Sequence, residues 1–191
     1  LALARARLNC SITQRHFGDL AGAIADAERA AQLLHGLPPC VEQGRAEASL
    51  AATYAEMGDA RRALRHGERA LELLRDTAPG GSPALENAHL ILARAHMLSG
   101  EAGAAQAHAE KALRLCEARR PEDSLRLADV CALAAEPYLL SEDGADARRA
   151  EALLCRALGI RERRLPWEHA DMAAVCGQLS LVYERLGEPE L

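Results

Sequence analysis

Small and apolar residues recur along the chain at helical spacing, in paired segments that are separated by glycine. The stretch 51–74 contains one such pair, with Ala51, Tyr54 and Met57 spaced three apart in the first segment and Ala63, Ala70 and Leu71 in the second. The members of each set lie on one face of a helix, and Gly58-Asp59 stands between the two sets. The pattern predicts two helices joined by a tight turn, with small residues that let a neighbouring helix approach closely.

The same pattern recurs along the whole chain at a nearly constant interval. Turn glycines stand at positions 18, 58, 100, 144 and 187, and paired alanines at 23 and 30, 63 and 70, 105 and 112, and 150 and 157. A period of about 40 residues is typical of stacked helical repeats, each of which buries its apolar face against a neighbour. We predict one solenoid over 1–191, with helix pairs at about 1–37, 38–80, 81–121 and 122–165 and the first helix of a fifth pair at 166–191.

Proline and glycine mark the boundaries between the predicted pairs. The breaks fall at Gly36-Leu37-Pro38-Pro39, in 79–83, at Arg120-Pro121 and at Gly187-Glu188-Pro189. Proline lacks the backbone N–H of an interior helical residue, so these runs end helices. Pro137 lies inside the first helix of the fourth pair, which we expect it to kink or shorten.

The composition supports an all-α fold and narrows the classes of function. Ala, Leu, Glu and Arg are abundant while aromatic and β-branched residues are scarce, which favours helix over strand. A formal charge of −5 argues against general nucleic-acid binding, which needs clustered basic residues. We find neither a run of the roughly 18 apolar residues that a membrane span requires nor an N-terminal leader, so we expect a soluble, cytoplasmic protein. The chain opens on Leu1 without an initiator Met, and we therefore expect it to be a segment of a longer protein.

Candidate chemistry is sparse. The six cysteines form no C-x-x-C pair, so we expect them to be reduced and to fill the core. His89 and His96 lie seven apart and could approach Cys131, but no short-spaced ligand pair supports a metal site. No phosphate-binding glycine loop and no activated nucleophile stand out. We predict a segment that is not an enzyme and that needs no cofactor or metal.

Against this background the pattern resembles the tetratricopeptide repeat (TPR). The second pair matches it at Ala51, Tyr54, Gly58, Asp59, Ala63, Ala70 and Leu71. The long interval is similar to the repeats of kinesin light chains, and the stretch from Ala150 through Ile160-Arg161-Glu162 to His169 resembles their linker. Gln14 and His96 stand where the family usually has an aromatic residue, and Ala170 where it usually has proline.

The resemblance implies a right-handed superhelix whose concave wall is built mainly by the first helix of each pair. On that layout the candidate partner-binding residues are Arg5, Asn9, Arg15, Arg45, Asn87, Leu90, Arg94, Met97, Asp129 and Glu136. Apolar and small residues, among them Leu8, Ile12, Ala48, Ala52 and Ala55, are expected between them on the wall. The wall should be basic in its N-terminal half and acidic in its C-terminal half.

A protein or peptide with an acidic end and an apolar middle would suit this wall, because complementary charge orients a partner. The leading hypothesis is therefore a scaffold or adaptor that binds a partner peptide or helix, with no role in nucleic-acid binding or membrane insertion. Two alternatives are a regulatory or sensor module of a larger multidomain protein, and an architectural subunit of a large assembly. Leu1 to Leu8 and Leu179 to Leu191 would be the open ends of the stack, where end-to-end or multi-subunit contact is expected.

Overall fold

The computed structural model describes residues 1–119, 122–141, 143–166 and 169–187. Within those ranges the chain forms helices and no strand, in agreement with the all-α prediction. The helices are α1 (Ala2–His16), α2 (Leu20–Leu34), α3 (Val41–Glu56), α4 (Ala60–Thr77), α5 (Pro83–Leu98), α6 (Ala102–Glu117), α7 (Leu125–Leu139), α8 (Gly144–Arg164) and α9 (Ala170–Leu186). They are the four predicted helix pairs and the first helix of a fifth. Two predicted stops, Arg120-Pro121 and Glu188-Pro189, lie outside the described residues.

Three of the corners inside helix pairs share one hydrogen-bonding pattern. Gly18, Gly58 and Gly100 have φ angles of 80°, 76° and 74°, a left-handed conformation that other residues rarely adopt. The residue after each glycine donates its N–H to the carbonyl five residues earlier, as in Asp19 to Gln14 and Asp59 to Tyr54, both at 2.9 Å. This motif satisfies carbonyls that the end of a helix would otherwise leave unpaired.

The aspartates after the first two glycines begin the next helices. The Asp19 carboxylate accepts the Gly22 N–H at 2.9 Å, and the Asp59 carboxylate accepts the Arg62 N–H at 3.0 Å. A carboxylate at this position accepts a hydrogen bond from a backbone N–H that has no partner within the helix. Its negative charge is also stabilised by the positive end of the helix dipole. The glycine-acid dipeptide therefore ends one helix, as the sequence predicted, and its aspartate also caps the next.

The corner of the fourth pair is built differently. Here Asp143 comes before Gly144, and the Asp143 carboxylate caps α8 by accepting the Ala145 N–H at 2.9 Å. Gly144 is the first residue of α8 and has no positive φ angle. The prediction of a turn glycine at 144 is therefore wrong, because the order of the acid and the glycine is reversed. As a result α8 has 21 residues, with an additional turn before Ala150.

The chain divides into two compact units, which are Leu1–Glu101 and Ala102–Leu191. In the first unit α3 packs against α1, α2, α4 and α5, and in the second α7 packs against α6 and α8, while α9 packs against α8. The predicted alanine pairs are fully buried, which holds for Ala23, Ala30, Ala63, Ala70, Ala105, Ala112, Ala150 and Ala157. The arrangement of the whole chain as a single solenoid stays a prediction.

Three predictions on the interior are corrected. Leu8 and Ala55, expected on the concave wall, lie in core clusters, where Leu8 joins Leu34 and Ala46. Pro137 does not shorten its helix, because it lies within the last turn of α7, which runs on to Leu139. Core filling holds for Cys116 and Cys131, whereas Cys10, Cys155 and Cys176 are exposed and Cys40 is half-buried. Helices of this stack bury more than one face, which periodicity within a single helix does not reveal.

Candidate ligand-binding surface on the first helices

The first unit contains three first helices, α1, α3 and α5, which are neighbours because α3 packs against both α1 and α5. The sequence-predicted residues of this unit lie on these helices. Side chains of these three helices could together form a surface that a ligand contacts. The positions and partners of the charged side chains decide which of them such a ligand could reach.

Two of the predicted arginines form ion pairs within the chain. Arg5 donates through Nε to Glu42 Oε1 at 2.6 Å, which links the start of α1 to the start of α3. Arg15 donates to Glu56, which links the ends of the same two helices. Burial alone would raise the pKa of Glu42, but the hydrogen bond and the positive charge of Arg5 lower it overall. Arg5 and Arg15 therefore have their charge neutralised by α3.

Arg45 and Arg94 have no such partner. Within the described part of the chain, neither guanidinium forms a hydrogen bond or a salt bridge. Arg94 is exposed on α5 and Arg45 is half-buried on α3. These two side chains keep forked donors available for a carboxylate.

The uncharged candidates of the first unit differ in their exposure. Asn9 and Asn87 are exposed, and Met97 is half-buried. Leu90 is buried, with 9% of its surface exposed. The amides can serve a ligand backbone as both donors and acceptors, whereas Leu90 offers little contact area.

In the second unit, the acidic candidates lie on α7. The Asp129 carboxylate accepts a hydrogen bond from Arg161 Nη2 at 3.1 Å, and Arg161 also donates to the Asp171 carbonyl at 2.9 Å. Arg161 is buried, so its charge requires these partners. Glu136 is half-buried and also has an interaction partner. The acidic character of this wall is therefore lower than the sequence predicts.

A polar network between α6, α7 and α8 of this unit was not predicted from the sequence. Glu110 on α6 accepts hydrogen bonds from Arg149 on α8, at 2.7 Å from Nη2, and from the Tyr138 hydroxyl at 2.9 Å. Burial alone would raise the pKa of Glu110, but the two donors lower it. Burial and the bond to Glu110 raise the pKa of Tyr138 to about 12. The network joins α6, α7 and α8.

The histidines and cysteines considered as candidate ligands are not brought together in the described ranges. No group of three or more His, Cys, Asp or Glu residues there is arranged to hold a metal ion. The His96 ring lies 2.9 Å from Glu101 Oε2 through Nδ1. Burial raises the pKa of the Cys131 thiol to about 11, which disfavours the reactive thiolate. None of the helices in these ranges is both long and apolar enough to cross a membrane.

Comparison with solved structures identifies the fold as TPR-like. The chain is similar to BtubC (BKLC) from P. vanneervenii, with a TM-score of 0.77, 23% identity and coverage of 94% of this chain and 71% of that one. It is also similar to kinesin light chain-type, nearly identical TPR-like repeats from Podosopora anserina, with a TM-score of 0.77, 18% identity and coverage of 96% and 86%. The apo form of RapI matches with a TM-score of 0.74, 18% identity and coverage of 96% and 64%. No protein-family model matches the sequence, and no curated protein matches it at a significant level.

The carboxylates that neutralise Arg5 and Arg15 were missed in the sequence. Glu42 and Glu56 lie 37 and 41 residues after their partners, close to one repeat period. Both ion pairs therefore join equivalent ends of successive first helices. A comparison of opposite charges one period apart would have suggested both pairs.

Proposed function

We propose that this chain is a protein-interaction module and that the first helices of its first unit bind a partner segment rich in carboxylates. The observation that carries the proposal is the unequal state of four arginines on these helices. Arg5 and Arg15 form ion pairs with Glu42 and Glu56, whereas Arg45 and Arg94 form no hydrogen bond or salt bridge among the described residues, although the charge of Arg45 also acts on Glu42. The proposal includes no catalytic step.

Physical chemistry favours an acidic partner over a basic or purely apolar one. A guanidinium presents several donors in a planar fork that matches a carboxylate, and charge-assisted hydrogen bonds are stronger than neutral ones. Arg45 and Arg94 lie on the neighbouring helices α3 and α5, so one extended segment could contact both. Asn87 and Met97, on the same helix as Arg94, supply an amide and an apolar contact beside it.

Two double variants with equal changes in charge test the proposal. The first is Arg45→Glu with Arg94→Glu on the candidate surface. The control is Arg61→Glu with Arg75→Glu, two exposed arginines of α4. Each protein is titrated with a library of acidic, basic and neutral peptides that share an apolar centre, and binding is measured by fluorescence anisotropy.

We expect wild type and control to bind acidic peptides, and the first variant to lose about tenfold or more in affinity, because charge-assisted hydrogen bonds contribute about 1.5–3 kcal/mol each. Binding should also weaken with added salt, since exposed charges are screened. Equal affinities of the two double variants for the same peptide would refute the proposed surface. A preference of wild type for basic peptides would refute the proposed partner.

A further inference from the structure

A carboxylate of the chain itself lies beside two of the four arginines on the first helices of the first unit. Glu42 is in the first turn of α3 and is buried, with 7% of its surface exposed. It accepts a hydrogen bond from Arg5 Nε of α1 at 2.6 Å. Arg45 stands three residues after Glu42, so both side chains lie on the same face of α3. Glu42 therefore meets positive charge both from α1 and from its own helix.

The electrostatic state of Glu42 reflects both of these arginines. Burial alone would raise the pKa of its carboxyl, but the hydrogen bond from Arg5 and the positive charges of Arg5 and Arg45 lower it overall. Glu42 is therefore negatively charged at neutral pH. Its charge is an internal counterion for Arg45 as well as for Arg5.

Arg94 has no comparable carboxylate at a neighbouring position of its own helix. The residues three and four positions away from it in α5 are all apolar, namely Leu90, Ile91, Met97 and Leu98. Side chains at these spacings are the neighbours of a residue on a helix surface. Arg94 is also exposed, whereas Arg45 is half-buried. The two arginines that could bind partner carboxylates are thus electrostatically unequal.

We infer that Glu42 determines which partner segments the first helices accept, because it acts as a counterion of Arg45 that a partner carboxylate must compete with. This inference rests on the proposed function, in which carboxylates of a partner contact these helices. A carboxylate that approaches Arg45 is repelled by the charge of Glu42, and repulsion of this kind is a common source of specificity. A carboxylate that approaches Arg94 meets no such charge along α5. The surface therefore binds one carboxylate firmly, at Arg94, and gains little from a second one at Arg45.

Two fluorescein-labelled peptides measure this selectivity. They share one apolar centre, with glutamates on one side of it in the first peptide and on both sides in the second. Fluorescence anisotropy gives their affinities for wild type and for Glu42→Gln, which keeps the size of the side chain and removes its charge. The matched control is Glu47→Gln, because Glu47 is also on α3 but its Oε2 lies 2.7 Å from His66 Nδ1 of α4. Circular dichroism checks that each variant keeps the wild-type helical content.

We expect wild type and Glu47→Gln to bind the two peptides with affinities that differ by about twofold at most, as for weak surface charge pairs. Glu42→Gln should bind the two-sided peptide about tenfold more tightly than the one-sided peptide, because Arg45 is then available to the second carboxylate.

Single variants of the arginines assign the two carboxylates. In the wild-type background, Arg94→Ala should weaken binding of both peptides about tenfold, whereas Arg45→Ala should change either affinity by about twofold at most. In the Glu42→Gln background, Arg45→Ala should remove the preference for the two-sided peptide. A loss of stability alone would not change the ratio of two affinities that are measured on the same folded protein.

Arg5→Ala tests the same assignment in the opposite direction. This variant removes the guanidinium that bonds to Glu42, so the charge of Glu42 acts more strongly on an approaching carboxylate. The two-sided peptide should then bind more weakly than the one-sided peptide. A preference of Arg5→Ala for the two-sided peptide would contradict the role of Glu42.

Two further results would overturn the inference and leave the proposed function intact. One is the same ratio of affinities in wild type and Glu42→Gln while Arg94→Ala still weakens binding. The other is an equal change of that ratio in Glu47→Gln, which would assign the effect to the total charge of α3. By contrast, a wild-type protein that binds neither peptide would count against the proposed function itself, and the inference would fail with it.

Discussion

Gly67 lies directly against Leu92, so that a β-carbon placed on the glycine would be 2.7 Å from Leu92 Cδ2. The same β-carbon would be 3.8 Å from Ala51 Cβ, at the contact of α4 with α3. Because Gly67 is inside a helix, its use there costs about 1 kcal/mol relative to alanine. The absence of a side chain is therefore what lets α4 approach α5 and α3 together.

Replacing Gly67 with alanine should destabilise the protein by about 1–3 kcal/mol, because Leu92 must shift to accept the added methyl group. Urea unfolding followed by circular dichroism measures the change. Gly103→Ala is the matched control, since no side chain or distant backbone atom lies within 4 Å of its β-carbon position in α6. That variant should gain about 0.5–1 kcal/mol from helix propensity. Similar gains for both variants would contradict the close contact.

Replacing Ala70 with leucine should overpack the contact between α3 and α4 and cost about 1–3 kcal/mol. Ala70 is fully buried, and its carbonyl oxygen would lie 3.3 Å from a β-carbon on Gly44 of α3. The control is Ala107→Leu, at an exposed position in α6. Thermal unfolding should show a lower melting temperature for Ala70→Leu than for the control, and identical temperatures would refute the repeat register.

The ion pair between Arg15 and Glu56 should contribute more to stability than an exposed pair. Its side chains are 19% and 24% exposed, whereas those of Arg69 and Glu72 are 59% and 63% exposed. Double-mutant cycles with alanine at each position should give a coupling of about 1 kcal/mol or more for the first pair and at most about 0.5 kcal/mol for the second. A larger coupling for the exposed pair would contradict the role of Arg15 in linking α1 to α3.

The Glu110 network should make the protein sensitive to acid. The folded-state pKa of Glu110 is lowered from its ordinary 4.5, because the Arg149 and Tyr138 donors outweigh burial. A lowered pKa contributes stability that is fully present above the ordinary value and is lost as pH falls through the folded value. Urea midpoints measured from about pH 6 to about pH 3 should therefore fall less steeply for Glu110→Gln than for wild type. The exposed Glu162 provides the control, and Glu162→Gln should retain the wild-type slope.

The sequence was sufficient to predict the fold, because the signals for it are local. Two adjacent residues, Gly58 and Asp59, are enough to form the corner between α3 and α4. Ala63 and Ala70 lie two turns apart and mark the buried face of α4. Each of these signals depends either on the local backbone conformation or on the spacing of residues along one helix. The same local logic failed at Asp143-Gly144, where the order of two residues decides which of them is in the helix.

The candidate surface was less predictable, because its state depends on contacts distant in sequence. Arg5 and Arg45 look alike in the pattern, yet Arg5 forms a hydrogen bond with a carboxylate 37 residues away and Arg45 forms no hydrogen bond among the described residues. Leu8 was expected on the wall but is enclosed by residues of α2 and α3. The burial and ion pairing of these side chains depend on which helices pack together. The roles of the ten candidate residues in partner binding stay a prediction.

The additional turn of α8 shows where this architecture accepts a change in length. Residues 144–149 precede the register that begins at Ala150, and two of them, Asp146 and Arg149, bond to Gln106 and Glu110 of α6. The core positions Ala150, Leu154 and Ala157 stay buried despite the added residues. Insertions at this corner can therefore create new polar surface without moving the interior, which makes it a natural place for engineered tags or for divergence between homologous chains.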